Sequence, residues 1–169
     1  MDKLETFEVY GAPEDIGFAI GQIDVDLIQK QVLQLAEFRE TERIWQGSSY
    51  LQELLIAARY FFPEYVLELE GMARGAQVEY ETLLVWNCRG DLPLSDDAIP
   101  ESVKHSPDGC TTFLYPAAKS SVTVIAHNED GPPELDGHCS WFSARQENGS
   151  KFSTLHYPGM LQGHTLSVN

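Results

Sequence analysis

The feature that most restricts the fold of this chain is a change of hydrophobic period partway along it. Up to about residue 90, apolar residues recur every three to four positions, as on the buried stripe of a helix. Leu27, Ile28, Val32, Leu35 and Phe38 mark one stripe, predicting a single helix over Val25 to Phe38; Leu51, Leu54, Leu55 and Ala58 mark another. After Asp108 the spacing shortens to the every-other-residue alternation of strands. Between the two lies DLPLSDDAIPESVKHSPD, residues 91–108, with three prolines, several acids and no periodicity, a composition suited to an exposed connection. An α+β chain is expected: a helical N-terminal part over 1–109, then the beginning of a β-rich part over 110–169, in one folding unit.

Punctuation residues place the elements. Pro13 followed by Glu14 and Asp15 starts a helix, since proline tolerates the first turn and acids favour the positive end of the helix dipole. Ser48 or Ser49 caps another, Pro63 starts the helix PEYVLELEGMARGA that Gly75 is expected to end, and a short helix fits Tyr80 to Trp86. Strands are expected at Thr111–Tyr115, Ser121–His127, Cys139–Arg145 and Lys151–His156, the last two forming a hairpin around Glu147-Asn148-Gly149. GHTLSVN begins a further β run.

Charge narrows the function classes. Eleven Lys and Arg stand against 26 Asp and Glu, a net charge of −15, so the surface repels phosphate backbones and anionic lipid headgroups. Nucleic-acid and membrane partners are therefore not expected. The opening MDKLETFEVYG lacks the basic-then-apolar pattern of a secretion signal, and Cys88, Cys110 and Cys139 form neither a Cys-x-x-Cys pair nor an even disulfide set. A soluble protein of the reducing cytoplasm is expected, with at least one free thiol.

Three stretches carry chemistry. In DGCTTF, Gly109 precedes Cys110, and two readings stand: a buried cysteine at a strand start, or a nucleophile released by cleavage of its own backbone. In the second reading glycine removes the side chain that would block attack of sulfur on the preceding carbonyl. The cut would leave Cys110 with a free α-amine able to serve as base for its own thiol, with Thr111 or Thr112 as an assisting hydroxyl. In AHNEDG, a hairpin connecting back from Tyr115 would return Asn128 and Asp130 towards Cys110, on one face by alternation. Asp130 could then hold the amine and Asn128 donate to an oxyanion; a polar turn closing a strand is the other reading. His127, His138, Cys139 and His156 are zinc-type residues at spacings that match no zinc motif. No EF-hand, phosphate-binding loop or Gly-x-Ser-x-Gly occurs, and no cofactor is expected.

Taken in order, five stretches resemble the isopenicillin N acyltransferase-like family of N-terminal-nucleophile cysteine hydrolases. They are GAPEDIGFAIGQ, then YVLELEGMARGAQVEYETLLVWNCRGDL with Asn87, Arg89 and Asp91 at its end, DGCTTF, AHNEDG, and HYPGMLQGHTLSVN. The resemblance implies an αββα sandwich of which this chain holds the helical part and the first strands, incomplete at the C-terminus. It implies self-cleavage between Gly109 and Cys110, and hydrolysis or acyl transfer on C–N amide bonds of a small acyl-amide or peptide-like substrate. Cys110 is then the nucleophile, Thr112 the assisting hydroxyl, Asp130 the acid near the amine and Asn128 its neighbour. It further implies a C-terminal companion fragment or chain, and leaves the oligomeric state open. The family's aromatic position next to Asn128 is Glu129 here. The competing reading is a catalytically incomplete piece of that fold serving as an interaction or regulatory protein; a third is a metal-binding α/β protein.

Overall fold

The computed structural model describes residues 4–92, 110–116, 122–128, 131–163 and 167–168. The chain opens with strand β1 (Glu5–Gly11), followed by six α-helices: α1 (Pro13–Ile23), α2 (Val25–Lys30), α3 (Ala36–Trp45), α4 (Ser49–Phe61), α5 (Pro63–Ala76) and α6 (Tyr80–Cys88). Five strands come after them: β2 (Thr111–Tyr115), β3 (Val124–Asn128), β4 (Ser140–Gln146), β5 (Lys151–His156) and β6 (Ser167–Val168). The molecule is α+β, with a four-stranded mixed sheet of order β1-β4-β5-β6 and a separate two-stranded sheet of β2 and β3.

The strand at residues 5–11 corrects the expectation that everything before residue 90 is helical. ETFEVYG alternates, and the alternation is used: Phe7 and Val9 pack against the core while Glu8 and Tyr10 are exposed. β1 runs parallel to β4, with Phe7 opposite Phe142 and Val9 opposite Ala144. β4 and β5 form the expected hairpin, Ser140 pairing with His156 and Arg145 with Lys151. β6 pairs antiparallel with β5. The inward residues Phe142 and Ala144 join the helices' apolar stripe, including Ile16, Ile20, Ile28, Leu83 and Trp86, in one core.

Helix boundaries differ from the sequence expectation in three places: α6 runs on past Trp86 through Cys88, and two other differences have a local reason. The segment Val25–Phe38 is not one helix, because Leu35 leaves helical geometry (φ −58°, ψ 132°) and α3 begins afresh at Ala36. The break turns Phe38 edge-on to Trp86, with ring centroids 6.1 Å apart. Nor does Gly75 end α5: the helix continues through Ala76 and closes at Gln77, which takes the left-handed conformation (φ 57°). Gly75 serves a contact instead. Helices α1 and α5 cross so closely that a Cβ at Gly17 or Gly21 would collide with the Glu68 or Met72 carbonyl oxygen, and one at Gly71 or Gly75 with that of Glu14 or Phe18. Each helix thus offers two glycines four residues apart to the backbone of the other. At the starts, Pro13 and Pro63 occupy the first turns of α1 and α5, and the Ser48 hydroxyl accepts the Leu51 N–H at 3.1 Å to cap α4.

A second joint ties the helices to the sheet. The Asn87 amide donates to the Leu83 and Gly159 carbonyls at 2.8 and 2.9 Å, and its oxygen accepts the Leu161 N–H at 2.8 Å. Trp86 Nε1–H donates to the Pro158 carbonyl at 3.2 Å, and the Arg89 guanidinium lies 4.0 Å over the Trp86 ring. Gly159, at φ 72°, makes the turn that brings these carbonyls round. Beneath it, His156 Nε2 donates to Asp24 Oδ2 at 2.5 Å with both side chains buried, and the Gln162 amide donates to His156 Nδ1 at 2.8 Å. Asp24 sits between α1 and α2, so this pair links the helical layer to β5.

Candidate active site

The site is built on a short antiparallel ribbon. TTFLY and VIAHN are rich in β-branched and aromatic residues, and they pair Thr111 with Asn128, Thr112 with His127 and Tyr115 with Val124. The return of the chain after Tyr115 therefore brings the AHN stretch back to the Cys110 end, as the hairpin reading expects. Gly109 and Asp130 lie outside the described residues.

Cys110 immediately precedes β2 and is exposed. That position answers one of the two readings of the Gly-Cys pair, since the thiol stands at a strand start but is not buried there. The other two cysteines are half-buried. Burial, and then the nearby Asp91 carboxylate, push the Cys88 thiol up, which leaves less thiolate at neutral pH. The Cys139 sulfur lies 4.0 Å from the Leu135 carbonyl oxygen. Of the three thiols, Cys110 is the exposed one.

Thr112 and His127 meet across the ribbon, with Thr112 Oγ1 2.8 Å from His127 Nδ1. Directly opposed residues of an antiparallel pair share a face, so Thr112 and His127 occupy one face and Thr111 and Asn128 the other. Asn128 is exposed at the end of β3, beside the start of β2. Sequence reading treats His127 only as a possible metal ligand. The signal for its pairing with Thr112 is the register of the hairpin, which depends on how many residues the connection uses.

The remaining zinc-type residues have separate surroundings: His156 is bound to Asp24 and Gln162, and Cys139 lies by Leu135. Among the described residues no group of three or more His, Cys, Asp or Glu is placed to hold a metal ion. Likewise, among the described residues, no helix is long and apolar enough to cross a membrane. An open trough of about 510 Å³ lies on the sheet between Glu8, Tyr10, Ser143, Arg145, Lys151 and Ser153.

No family model matches the chain. Over 182 aligned residues it is 26% identical to the beta-alanyl-dopamine/carcinine hydrolase of Drosophila melanogaster, a similarity that covers 94% of this chain and 44% of that protein. The chain thus spans less than half the length of this curated relative.

Proposed function

We propose that this protein is a self-processing cysteine amidohydrolase or acyltransferase of the N-terminal-nucleophile class, built on an αββα sandwich. The observation that carries the reading is the exposed Cys110 thiol at the head of a ribbon whose return strand brings Asn128 alongside. The similarity to a hydrolase whose name gives beta-alanyl-dopamine and carcinine as substrates supports it, because a β-alanyl group carried on an amine is an amide.

In this reading Cys110 first cuts its own peptide link to Gly109, and the freed α-amine then takes the thiol proton near neutral pH. The thiolate attacks the carbonyl carbon of a small acyl-amide or peptide-like substrate. Asn128 donates to the oxyanion that forms, and Asp130 holds the ammonium. Collapse expels the amine, which leaves with the proton, and the acyl group remains on sulfur as a thioester until water or an acceptor amine takes it. Thr112 orients the thiol and the amine. A C-terminal companion fragment or chain supplies the other strands and the rest of the acyl pocket, and the reducing cytoplasm keeps the thiol free.

The test is covalent trapping. Incubated with an N-β-alanyl amide and quenched in acid, the protein is expected to carry one β-alanyl group on Cys110, and the Cys110→Ala variant none. Amine release that continues undiminished in Cys110→Ala would refute the proposal.

A further inference from the structure

Phe142 and Ala144 turn one face of the four-stranded sheet towards the helices, and alternation sends their neighbours to the opposite face, where the trough lies. The strand register sorts the trough's side chains into two rows. Glu8, Ser143 and Ser153 lie side by side across β1, β4 and β5, and two positions along the strands Tyr10, Arg145 and Lys151 do the same. The Ser143 and Ser153 hydroxyls meet at 2.7 Å. Arg145 and Lys151 are direct cross-strand partners, a placement of like charges that costs stability. Elsewhere in this chain of net charge −15, Lys30, Arg43, Arg59 and Arg74 each hold a carboxylate within 2.9 Å. Among the described residues, Arg145, Lys151 and Glu8 are in no ion pair, with one another or with any other group.

We propose that this trough binds a small zwitterion of the amino-acid kind, its carboxylate on Arg145 and Lys151 and its ammonium at Glu8. A guanidinium and an ammonium on adjacent strands, roughly 5 Å apart at the backbone, can both reach the oxygens of one carboxylate. An anion placed between them also relieves their mutual repulsion. Glu8 selects the rest of the ligand. From the neighbouring row, about 6.6 Å along the strands, it repels a dianion such as phosphate and attracts a cationic donor. The Ser143 and Ser153 oxygens beside it can accept from the same ammonium. The volume of about 510 Å³ is that of a small-ligand pocket. Nothing in this binding depends on the role given to Cys110.

The experiment titrates the full chain at low ionic strength with β-alanine, and separately with propionate and n-propylamine, which each keep one of its two charges. Binding is read from backbone amide chemical shifts on β1, β4 and β5. β-Alanine is expected to shift these amides saturably with a Kd about tenfold or more below that of propionate, and n-propylamine to leave them unmoved. Arg145→Gln and Lys151→Gln are each expected to weaken β-alanine about tenfold, and Glu8→Gln to bring it to the propionate value. Arg39→Gln, which removes an exposed arginine of α3, should change nothing. The inference is overturned if β-alanine gives no saturable shift, if Arg145→Gln and Lys151→Gln bind it as the parent does, or if propionate binds equally well. Each of these results leaves the Cys110 reading to its own trapping experiment.

Discussion

A carboxyl group buried in a helix pair is shifted towards its protonated form, and Glu68 shows this. It is 4% exposed on α5, and its Oε1 has no hydrogen-bond partner. Burial pushes its pKa up to about 7 from the ordinary 4.5, against a smaller opposing effect of the Gln162 backbone N–H. A raised folded-state pKa means that the group's contribution to stability is complete below about 4.5 and is lost as pH rises through about 7. The shift corresponds to roughly 3 kcal/mol. Glu68→Gln is therefore expected to leave stability near pH 4 almost unchanged and to raise it by up to roughly 3 kcal/mol at pH 8; denaturant melts at the two pH values check this. Equal pH dependence in parent and variant would contradict it. Cys110 and Thr112 were legible as candidates because a Gly-Cys pair followed by hydroxyls is a local pattern. The Glu68 environment was not, since in sequence it is one letter of the α5 stripe and its burial depends on how near α1 comes. His127 was missed for a similar reason: its partner lies 15 residues away across a connection of unread register.

At the scale of elements, the α1–α5 pair is the joint most sensitive to a single methyl group. Gly17, Gly21, Gly71 and Gly75 each face a backbone carbonyl of the other helix, where a side chain has nowhere to move. Gly71→Ala is expected to cost about 3 kcal/mol, lowering Tm by roughly 6–12 °C, whereas Gly47→Ala, in open space at φ 74°, should cost only the smaller strain of its backbone conformation. Thermal melts of the two variants separate packing from conformation, and equal losses would speak against the tight crossing. Helix starts were readable from Pro13, Pro63 and Ser48 because caps act within one turn. Helix ends were less so: Gly75 looks like a stop signal in sequence, but its lack of a side chain is used by α1. β1 carries a clear strand alternation, yet its partner β4 lies more than 130 residues later, and parallel pairing at that distance leaves no local turn to announce it.

Across the whole molecule, the five stretches that carry the family resemblance fall into three contacting sets. GAPEDIGFAIGQ meets LEGMARGA through the reciprocal glycines, WNCR holds YPGML through Asn87 and Trp86, and TTF, next after Cys110, pairs with AHN along the ribbon. Two of the three sets are structural joints, which explains small and amide residues there without any chemistry; the third holds the thiol. On the ribbon, Phe113, Tyr115 and Val124 on one face and Leu114 and Ile125 on the other are all exposed. The central claim is that the Gly109–Cys110 bond breaks by the action of its own sulfur. Intact-mass measurement of the folded chain over time tests it most directly. The account predicts a fragment beginning at Cys110 that accumulates in the parent and is missing from Cys110→Ala; a parent that stays at its full 18.9 kDa mass while its Cys110 thiol remains inert to alkylation would contradict it.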